Sequence, residues 1–301
     1  MSTSLRETRS GLEKYSQRLP VFGIEVVRGI DLGAKDLPED VSIEDIVQAV
    51  IKHRLVIFRN QGKLSEERQV EISRWFGPLE STFYRHPKSK HSDVFRVSND
   101  ETEGCRGVGR TGWHVDGSFQ SAPFRYALYH IIECPRAGDT VFLPLTEFLS
   151  TLEDEQRARW ERLYMCSDRR SQSVKPLIYS HPETGQDTMC FHLGMIGEFV
   201  VDYGTVDERR TSRGETKEIL DEIEEAILSR KHIWYSHSWR PGDFIMSDNA
   251  ALAHEASIET QYPPSAVGLR VMHRTTTHGP VPPKKGYEID TSGHRIASKG
   301  Q

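Results

Sequence analysis

Apolar residues recur at helical spacing in three stretches of the chain. Ser42 and Asp45 form an S-x-x-D start, which is typical of a capped helix, ahead of four apolar residues within 46–51. A second helix is predicted over residues 65–76, because Gly77 and Pro78 follow it directly. A third is predicted over residues 215–229, where the apolar positions form one stripe.

Short β-rich runs separated by turn residues dominate the chain from about residue 93 onward. They lie at residues 93–97, 124–134, 140–143, 188–193, 233–237, 244–246 and 269–276. An earlier apolar run, Leu55–Phe58, is predicted to be a buried strand. Many short strands with few helices favour a mainly β fold with flanking helices, built as a barrel or a two-sheet jelly roll. Residues 88–93 and 99–111 are predicted to be surface loops.

The length of 301 residues is large for one domain, but a single all-β barrel or sandwich can reach it. We predict one domain over residues 1–279, with its core at about 20–279. Residues 280–301 are rich in Pro, Lys and Gly, and they are predicted to form a poorly ordered tail. The sequence leaves open whether the protein is a homo-oligomer.

Charge and targeting features narrow the class of partner. The net charge of -5 gives no reason to expect nucleic acid or an anionic membrane. The first residues lack the apolar stretch of a secretory signal, and no run approaches the roughly 18–20 apolar residues of a membrane span. The 4 cysteines include no C-x-x-C pair, so we expect a reducing, cytoplasmic location.

Candidate metal ligands lie in the segment Gly112–Gly117. Residues two apart on a strand leave the same face, so His114 and Asp116 would point into one space. Such a tripeptide also arises in many proteins that hold no metal. With His254 as the third ligand, the set becomes that of non-haem Fe(II) oxygenases, which leaves open positions on the metal. A closed structural zinc site would use four ligands, usually with cysteine.

Arg270 is a second candidate for site chemistry. By strand alternation it shares a face with Met272 and Arg274. An arginine that points into a barrel is costly unless it meets an anion. That anion could be a dicarboxylate cosubstrate, bound through a two-pronged charge-assisted contact, or a buried Asp or Glu of the protein. The spacing alone leaves both alternatives open.

Five motifs occur together in the order, and close to the spacing, of one known family. They are WHVDGSF, PRAGDTVF, HPETG, WRPGDFIMSDNAALAHEA and GLRVMHRTT, at residues 113–119, 135–142, 181–185, 239–256 and 268–276. With them, residues 20–279 resemble the taurine dioxygenase-like (TauD/TfdA) oxygenases. The resemblance implies a double-stranded β-helix, which is a cupin-like jelly roll. It also implies Fe(II), 2-oxoglutarate and O2 as cofactors, with release of succinate and CO2.

The resemblance also implies roles for individual residues. Three residues match the iron ligands of the family: His114, Asp116 and His254. Arg270 matches the arginine that pairs with the distal carboxylate of 2-oxoglutarate, and Thr140 matches the hydroxyl that supports it. Arg274 matches an arginine that holds the anionic end of the substrate in sulfonate-using members.

The chain departs from the taurine pattern at the substrate pocket. Arg110 stands about where the taurine enzyme has an amide side chain, and Tyr84 and His86 are further candidate substrate contacts. The alternative is that Arg110 and the nearby Arg106 are solvated loop residues. An extra cation beside Arg274 favours a substrate with at least one carboxylate or sulfonate, and preferably two acidic groups.

The main prediction is an enzyme that oxidises a C–H bond of a small anionic substrate. Two alternatives remain open. The same cofactor chemistry can end in desaturation or oxidative cyclisation of an amino-acid-derived natural-product precursor, and the sequence does not separate these outcomes. A non-catalytic jelly-roll binding protein would be favoured by the loss of any metal ligand or of Arg270. All four residues are present.

Overall fold

The computed structural model describes residues 11–80, 85–168 and 173–296. The helices of this part are α1 (Ile43–His53), α2 (Glu66–Ser73), α3 (Leu145–Ser150), α4 (Asp154–Glu161), α5 (Arg213–Leu228) and α6 (Pro264–Val267). The strands are β1 (Ser16–Arg18), β2 (Ile24–Val26), β3 (Leu55–Phe58), β4 (Phe95–Ser98), β5 (Tyr126–Glu133), β6 (Thr140–Pro144), β7 (Leu163–Ser167), β8 (Val174–Pro176), β9 (Ile178–Ser180), β10 (Asp187–Met189), β11 (Ile196–Val201), β12 (Arg209–Arg210), β13 (Tyr235–His237), β14 (Phe244–Asp248), β15 (Leu252–Ala256) and β16 (Val271–Thr276).

The predicted helices form where their caps occur in the sequence. Ser42 accepts a hydrogen bond from the Asp45 backbone N–H, and the Asp45 carboxylate accepts one from the Ser42 N–H, so α1 begins in a capping box. The same reciprocal pair, Ser212 and Glu215, begins α5. Helix α2 continues into a 3-10 turn that ends at Gly77. In the part of the chain that the structure describes, none of the helices has the length and apolar character to cross a membrane.

Two facing sheets form the centre of the molecule. Within the described residues, the larger has seven strands in the order β1-β2-β3-β14-β5-β16-β4, and the smaller has the order β13-β6-β15. Isolated bridges extend the smaller sheet from His254 to His114 and from His114 to His192. The mainly β fold with flanking helices is confirmed, and its form is the double-stranded β-helix.

Strand alternation divides the core into layers. On β14, Ile245 packs between the two sheets with Phe142 of β6 and Leu252 of β15. Its neighbours Phe244 and Met246 point the other way, toward the cluster that α1 covers. A third cluster joins β6 and β7 to α3, α4 and α5. The space between the two sheets is therefore bounded by closely packed side chains on both sides. Such packing can hold functional side chains in a fixed geometry.

Charged and polar side chains of the C-terminal segment contact carboxylates of the domain. Tyr287 donates a hydrogen bond to Glu161 Oε2 at 2.9 Å, and Lys285 lies 3.3 Å from the same oxygen. Arg295 donates to Asp187 Oδ1 at 2.6 Å. Within residues 280–296, these side chains contact α4 and β10, and the prediction of a poorly ordered tail stays a prediction; residues 297–301 lie outside the described part. Composition alone could not reveal that these charges meet carboxylates of the domain.

Candidate metal centre and its cavity

The three predicted metal ligands lie together between the two sheets. The backbone N–H groups of His114 and His254 each donate to the carbonyl of the other residue, at 3.2 and 3.0 Å. The Asp116 carboxylate lies 3.8 Å from His114 Nε2 and 3.7 Å from His254 Nε2. One ligand atom from each residue falls within 4.8 Å of the others, and all three residues are buried. This arrangement fits a single divalent cation.

Backbone contacts fix how these ligands point. His114 Nδ1 lies 2.8 Å from the Gly112 carbonyl oxygen, so Nδ1 carries the proton and Nε2 keeps its lone pair for a metal. Asn249 accepts a hydrogen bond from the Asp116 backbone N–H at 3.0 Å. The Asn249 amide donates to the carbonyls of Asp116 and Phe124, at 2.9 and 2.6 Å. Asn249 therefore attaches the His-x-Asp segment to the turn between β14 and β15.

Burial and neighbouring charges keep the three candidate ligands in the protonation states that bind a metal. Burial, reinforced by His114, lowers the pKa of His254 to about 3. Burial also lowers the pKa of His114. Burial alone would raise the pKa of Asp116, but Arg274 and the two imidazoles outweigh it and hold the pKa below its usual range. Two neutral imidazoles and one carboxylate are thus ready at neutral pH, without displacing a proton.

Two side chains of the larger sheet hold the Asp116 carboxylate. Arg274 Nη1 donates to Oδ1 at 2.7 Å, and the Tyr129 hydroxyl donates to Oδ2 at 3.1 Å. The same hydroxyl lies 3.4 Å from His254 Nε2. Burial raises the pKa of Tyr129 well above its usual value, so the hydroxyl keeps its proton. The sequence predicted a strand at 124–134 but gave no signal that this tyrosine reaches the ligands.

Arg270 is a buried cation without a carboxylate. Its side chain is 2% exposed, its Nη2 lies 3.5 Å from Met272 Sδ, and its Nε has no hydrogen-bond partner among the described residues. Burial lowers the pKa of Arg270 to about 10, which still leaves it charged at neutral pH. Of the two alternatives for its anion, a protein carboxylate is not found in the described part of the chain.

Thr140 lines the same cavity as Arg270. Its Oγ1 accepts a hydrogen bond from Trp239 Nε1 at 3.1 Å. Because an indole N–H can only donate, the hydroxyl hydrogen of Thr140 is left to donate in another direction. Thr140 is therefore free to use its hydroxyl as a hydrogen-bond donor.

The cavity that joins these groups has a volume of about 310 Å³. Its polar lining includes the three candidate ligands, Thr140, Arg270 and Arg274. Its apolar lining includes Phe95, Val97, Phe119, Phe124, Met195 and Met272. A ligand there would meet the buried cation Arg270, the partly buried cation Arg274 and a largely apolar wall.

His192 also lines this cavity. Its ring stacks on that of His114, with 4.6 Å between the centroids. Gly194 donates its backbone N–H to His192 Nδ1 at 3.1 Å, and burial lowers the pKa of His192 to about 3. The neutral ring therefore carries its proton on Nε2, as a hydrogen-bond donor.

The predicted substrate contact at Arg110 is not supported. Arg110 Nη1 donates to the Ala256 carbonyl at 2.6 Å and lies 3.1 Å from Glu255 Oε1, so its charge is already paired, and it is not part of the cavity lining. Gly107 and Gly109 have φ angles of 73° and 75°. These left-handed turns redirect the loop, so that strand alternation cannot be extended through it.

The remaining predicted contacts have different outcomes. His86 is partly buried and lies outside the cavity lining, with its Nε2 3.0 Å from the Glu101 carbonyl oxygen. Tyr84 lies outside the described residues. Arg106 lines the cavity but is exposed, which places its charge in contact with water.

Comparison with known proteins agrees with this geometry. Residues 14–276 match the model of a family described as taurine catabolism dioxygenase TauD, TfdA family. One relative is the (S)-phenoxypropionate/alpha-ketoglutarate-dioxygenase of Sphingobium herbicidovorans, 25% identical over 259 residues that cover 77% of this chain and 85% of the relative. Another is the 3-((Z)-2-isocyanoethenyl)-1H-indole synthase of Fischerella ambigua, 24% identical, with 72% and 81% covered. The crystal structure of a taurine dioxygenase from Burkholderia xenovorans matches with a TM-score of 0.70 and 23% identity, covering 95% of this chain and 96% of that one.

Proposed function

This chain belongs to the TauD/TfdA family of dioxygenases, and we propose that it oxidises a C–H bond of a small molecule with one acidic group and an apolar body. As members of this family do, it uses Fe(II), 2-oxoglutarate (alpha-ketoglutarate) and O2. When bound, iron and 2-oxoglutarate supply the oxidising chemistry, in which one O2 oxygen enters the product, the other enters succinate, and CO2 leaves.

The donor set supports assigning the iron to His114, Asp116 and His254. Their ligand atoms converge within 4.8 Å, and their protonation states suit a divalent ion. Three protein ligands leave further coordination positions for the cosubstrate and O2. Asn249 and the Gly112 carbonyl orient the ligands from behind, as outer partners of metal ligands commonly do.

The orphaned cation supports assigning 2-oxoglutarate to Arg270 and Thr140. A buried guanidinium without an anion is costly, and a dicarboxylate provides one at its distal end. The Thr140 hydroxyl adds a neutral donor beside it. Together, these two residues would bind and orient the cosubstrate.

Arg274 and the apolar wall support the class of substrate. Apart from the exposed Arg106, the charged residues of the described cavity lining are the buried Arg270 and Asp116 and the partly buried Arg274, which together carry one net positive charge. A divalent metal and a dianionic cosubstrate cancel each other, so one positive charge remains for the substrate. Because Arg110 is paired with Glu255, it is not available to bind a second acidic group of the substrate. We therefore propose a substrate with one acidic group instead of two. Phenoxypropionate, named for the Sphingobium relative, is a carboxylate with an aromatic body.

The test is a screen of aryl and alkyl carboxylates and sulfonates with Fe(II), 2-oxoglutarate and ascorbate. Succinate release reports turnover, and the product mass separates gain of one oxygen from loss of two hydrogens. The second outcome would indicate desaturation or cyclisation. A best substrate without any acidic group would overturn the proposal.

Matched arginine variants test the binding role. Arg274→Met should raise KM for the best acid by about 30- to 150-fold, the equivalent of roughly 2–3 kcal/mol for a lost charged hydrogen bond. Arg110→Met, which removes a cation paired outside the cavity, should change KM by less than about threefold. Equal effects of the two variants would contradict the role of Arg274.

A further inference from the structure

Tyr129 is a buried hydroxyl at the metal centre that has no role in the proposed chemistry so far. It lies on β5, is 4% exposed, and lines the cavity. In the sheet it stands directly opposite Arg274 of β16. Directly opposite residues on antiparallel strands have Cβ atoms about 4.5–5.5 Å apart, so the two side chains leave the sheet as neighbours.

The two neighbours hold different oxygens of one carboxylate. Arg274 donates to Asp116 Oδ1 at 2.7 Å, and Tyr129 donates to Oδ2 at 3.1 Å. Rotation of the carboxylate would break both hydrogen bonds. Each carboxylate oxygen has two lone pairs, so an oxygen that accepts one of these bonds can still bind a metal.

The two donors differ in whether a bound substrate would compete for their hydrogen bond to Asp116. Arg274 is the cation to which the substrate anion is assigned, so its hydrogen bond to Asp116 competes with substrate. Tyr129 carries no charge to attract an anion, and its burial fixes the ring between the sheets. Its hydroxyl has one further contact, at 3.4 Å from His254 Nε2, which is another candidate ligand.

We infer that Tyr129 is a positioning residue, which keeps Asp116 oriented as a metal ligand when Arg274 turns to the substrate. The part of this inference that concerns Arg274 rests on the proposed function. The part that concerns Asp116 does not, because the hydrogen bond exists in the absence of substrate.

The test uses Co(II) alone, titrated into the full-length metal-free protein without 2-oxoglutarate or substrate. Tyr129→Phe keeps the ring and removes the hydroxyl. It should weaken Co(II) affinity about 10- to 100-fold, as the loss of an outer partner of a metal ligand usually does. It should also shift the visible absorption bands of bound Co(II), because the orientation of a ligand changes. In the Arg274→Met background, the same substitution should weaken Co(II) affinity further than it does alone.

Tyr126→Phe is the matched control. Tyr126 lies on the same strand, but its ring packs in the cluster on the opposite face of the sheet. This variant should leave Co(II) affinity and spectrum unchanged. If Tyr129→Phe leaves both unchanged as well, or fails to fold, the hydroxyl serves stability alone and the inference is overturned. A screen that finds only neutral substrates would refute the proposed function but would leave this measurement valid.

Discussion

Removal of the Arg270 guanidinium should abolish tight binding of 2-oxoglutarate while the metal still binds. The guanidinium contacts none of the three candidate metal ligands, and its nearest polar partner in the described structure is Met272 Sδ at 3.5 Å. The backbone of Arg270 is held separately, because its N–H donates to Asn99 Oδ1 at 2.9 Å. Arg270→Ala therefore deletes the anion contact with little effect on the path of the chain.

The magnitude follows from the burial of the charge. Loss of one partner of a buried, hydrogen-bonded charge pair costs about 2–5 kcal/mol. At about 1.4 kcal/mol per tenfold change, Kd for 2-oxoglutarate should rise about 30- to 4000-fold. The metal-free, ligand-free protein should lose much less stability, because the alanine variant no longer buries an unpaired cation. Arg270→Met keeps most of the aliphatic stem and should bind 2-oxoglutarate as weakly as Arg270→Ala.

The assay is calorimetric titration of 2-oxoglutarate into the anaerobic Fe(II) protein, with Fe(II) affinity measured separately. Arg136→Ala is the control, since Arg136 is exposed and its guanidinium contacts only the Ala266 carbonyl among its recorded hydrogen bonds. It should leave both affinities unchanged. If Arg270→Ala binds 2-oxoglutarate within about threefold of the wild type, an effect of less than about 0.7 kcal/mol, the reasoning from the orphaned cation is refuted.

Two further predictions concern stability. Burial and the adjacent Arg96 lower the pKa of His273 to about 3. Below about pH 6.5 the unfolded chain therefore binds a proton at this histidine, whereas the folded chain does not. As a result, the free energy of unfolding falls as the pH drops from about 6.5 toward 3. In urea unfolding at pH 7 and pH 5, His273→Gln should reduce that loss by up to about 1.4 kcal/mol per pH unit, and an unchanged pH dependence would contradict this. Glu161→Gln removes the carboxylate beside Lys285 and should lower the free energy of unfolding by about 3 kcal/mol. The control Asp221→Asn, at an exposed ion pair, should lower it by less than about 1 kcal/mol. Equal decreases in the free energy of unfolding would refute the packing of the C-terminal segment on Glu161.

Local rules account for what the sequence predicted well. Caps and apolar spacing located α1, α2 and α5, because these signals act within a few residues of each other. His114 and Asp116 meet at the site although His114 forms isolated bridges and Asp116 lies in a turn, so the predicted strand alternation does not explain their meeting. Arg270, one residue before β16, and Arg274 within it both line the cavity. Motif order supplied His254, whose pairing with His114 is a contact between distant segments that spacing alone does not define.

Contacts between distant segments account for what the sequence did not predict. Tyr129 reaches Asp116 because the register of β5 against β16 places it opposite Arg274. Arg110 is paired outside the cavity because Glu255 and the Ala256 carbonyl, 145 and 146 residues later in the chain, accept its hydrogen bonds. Tyr287 and Arg295 find their partners in Glu161 and Asp187, more than a hundred residues earlier in the chain. None of these three outcomes is encoded in a local pattern.

The cavity is energetically incomplete without its ligands, and this links stability to function. A buried Arg270 without an anion raises the free energy of the ligand-free folded state, while the unfolded chain exposes the same group to water. A ligand that binds only the folded state stabilises it by about 2.7 kcal/mol at a concentration one hundred times its Kd. An anion that pairs with Arg270 removes the unfavourable free energy of the unpaired buried cation. Part of the binding free energy of 2-oxoglutarate would therefore come from removing this destabilisation, in addition to the new contact. If 2-oxoglutarate binds Arg270 as proposed, the residue that weakens the ligand-free fold is also the one that makes the cavity selective for a dicarboxylate.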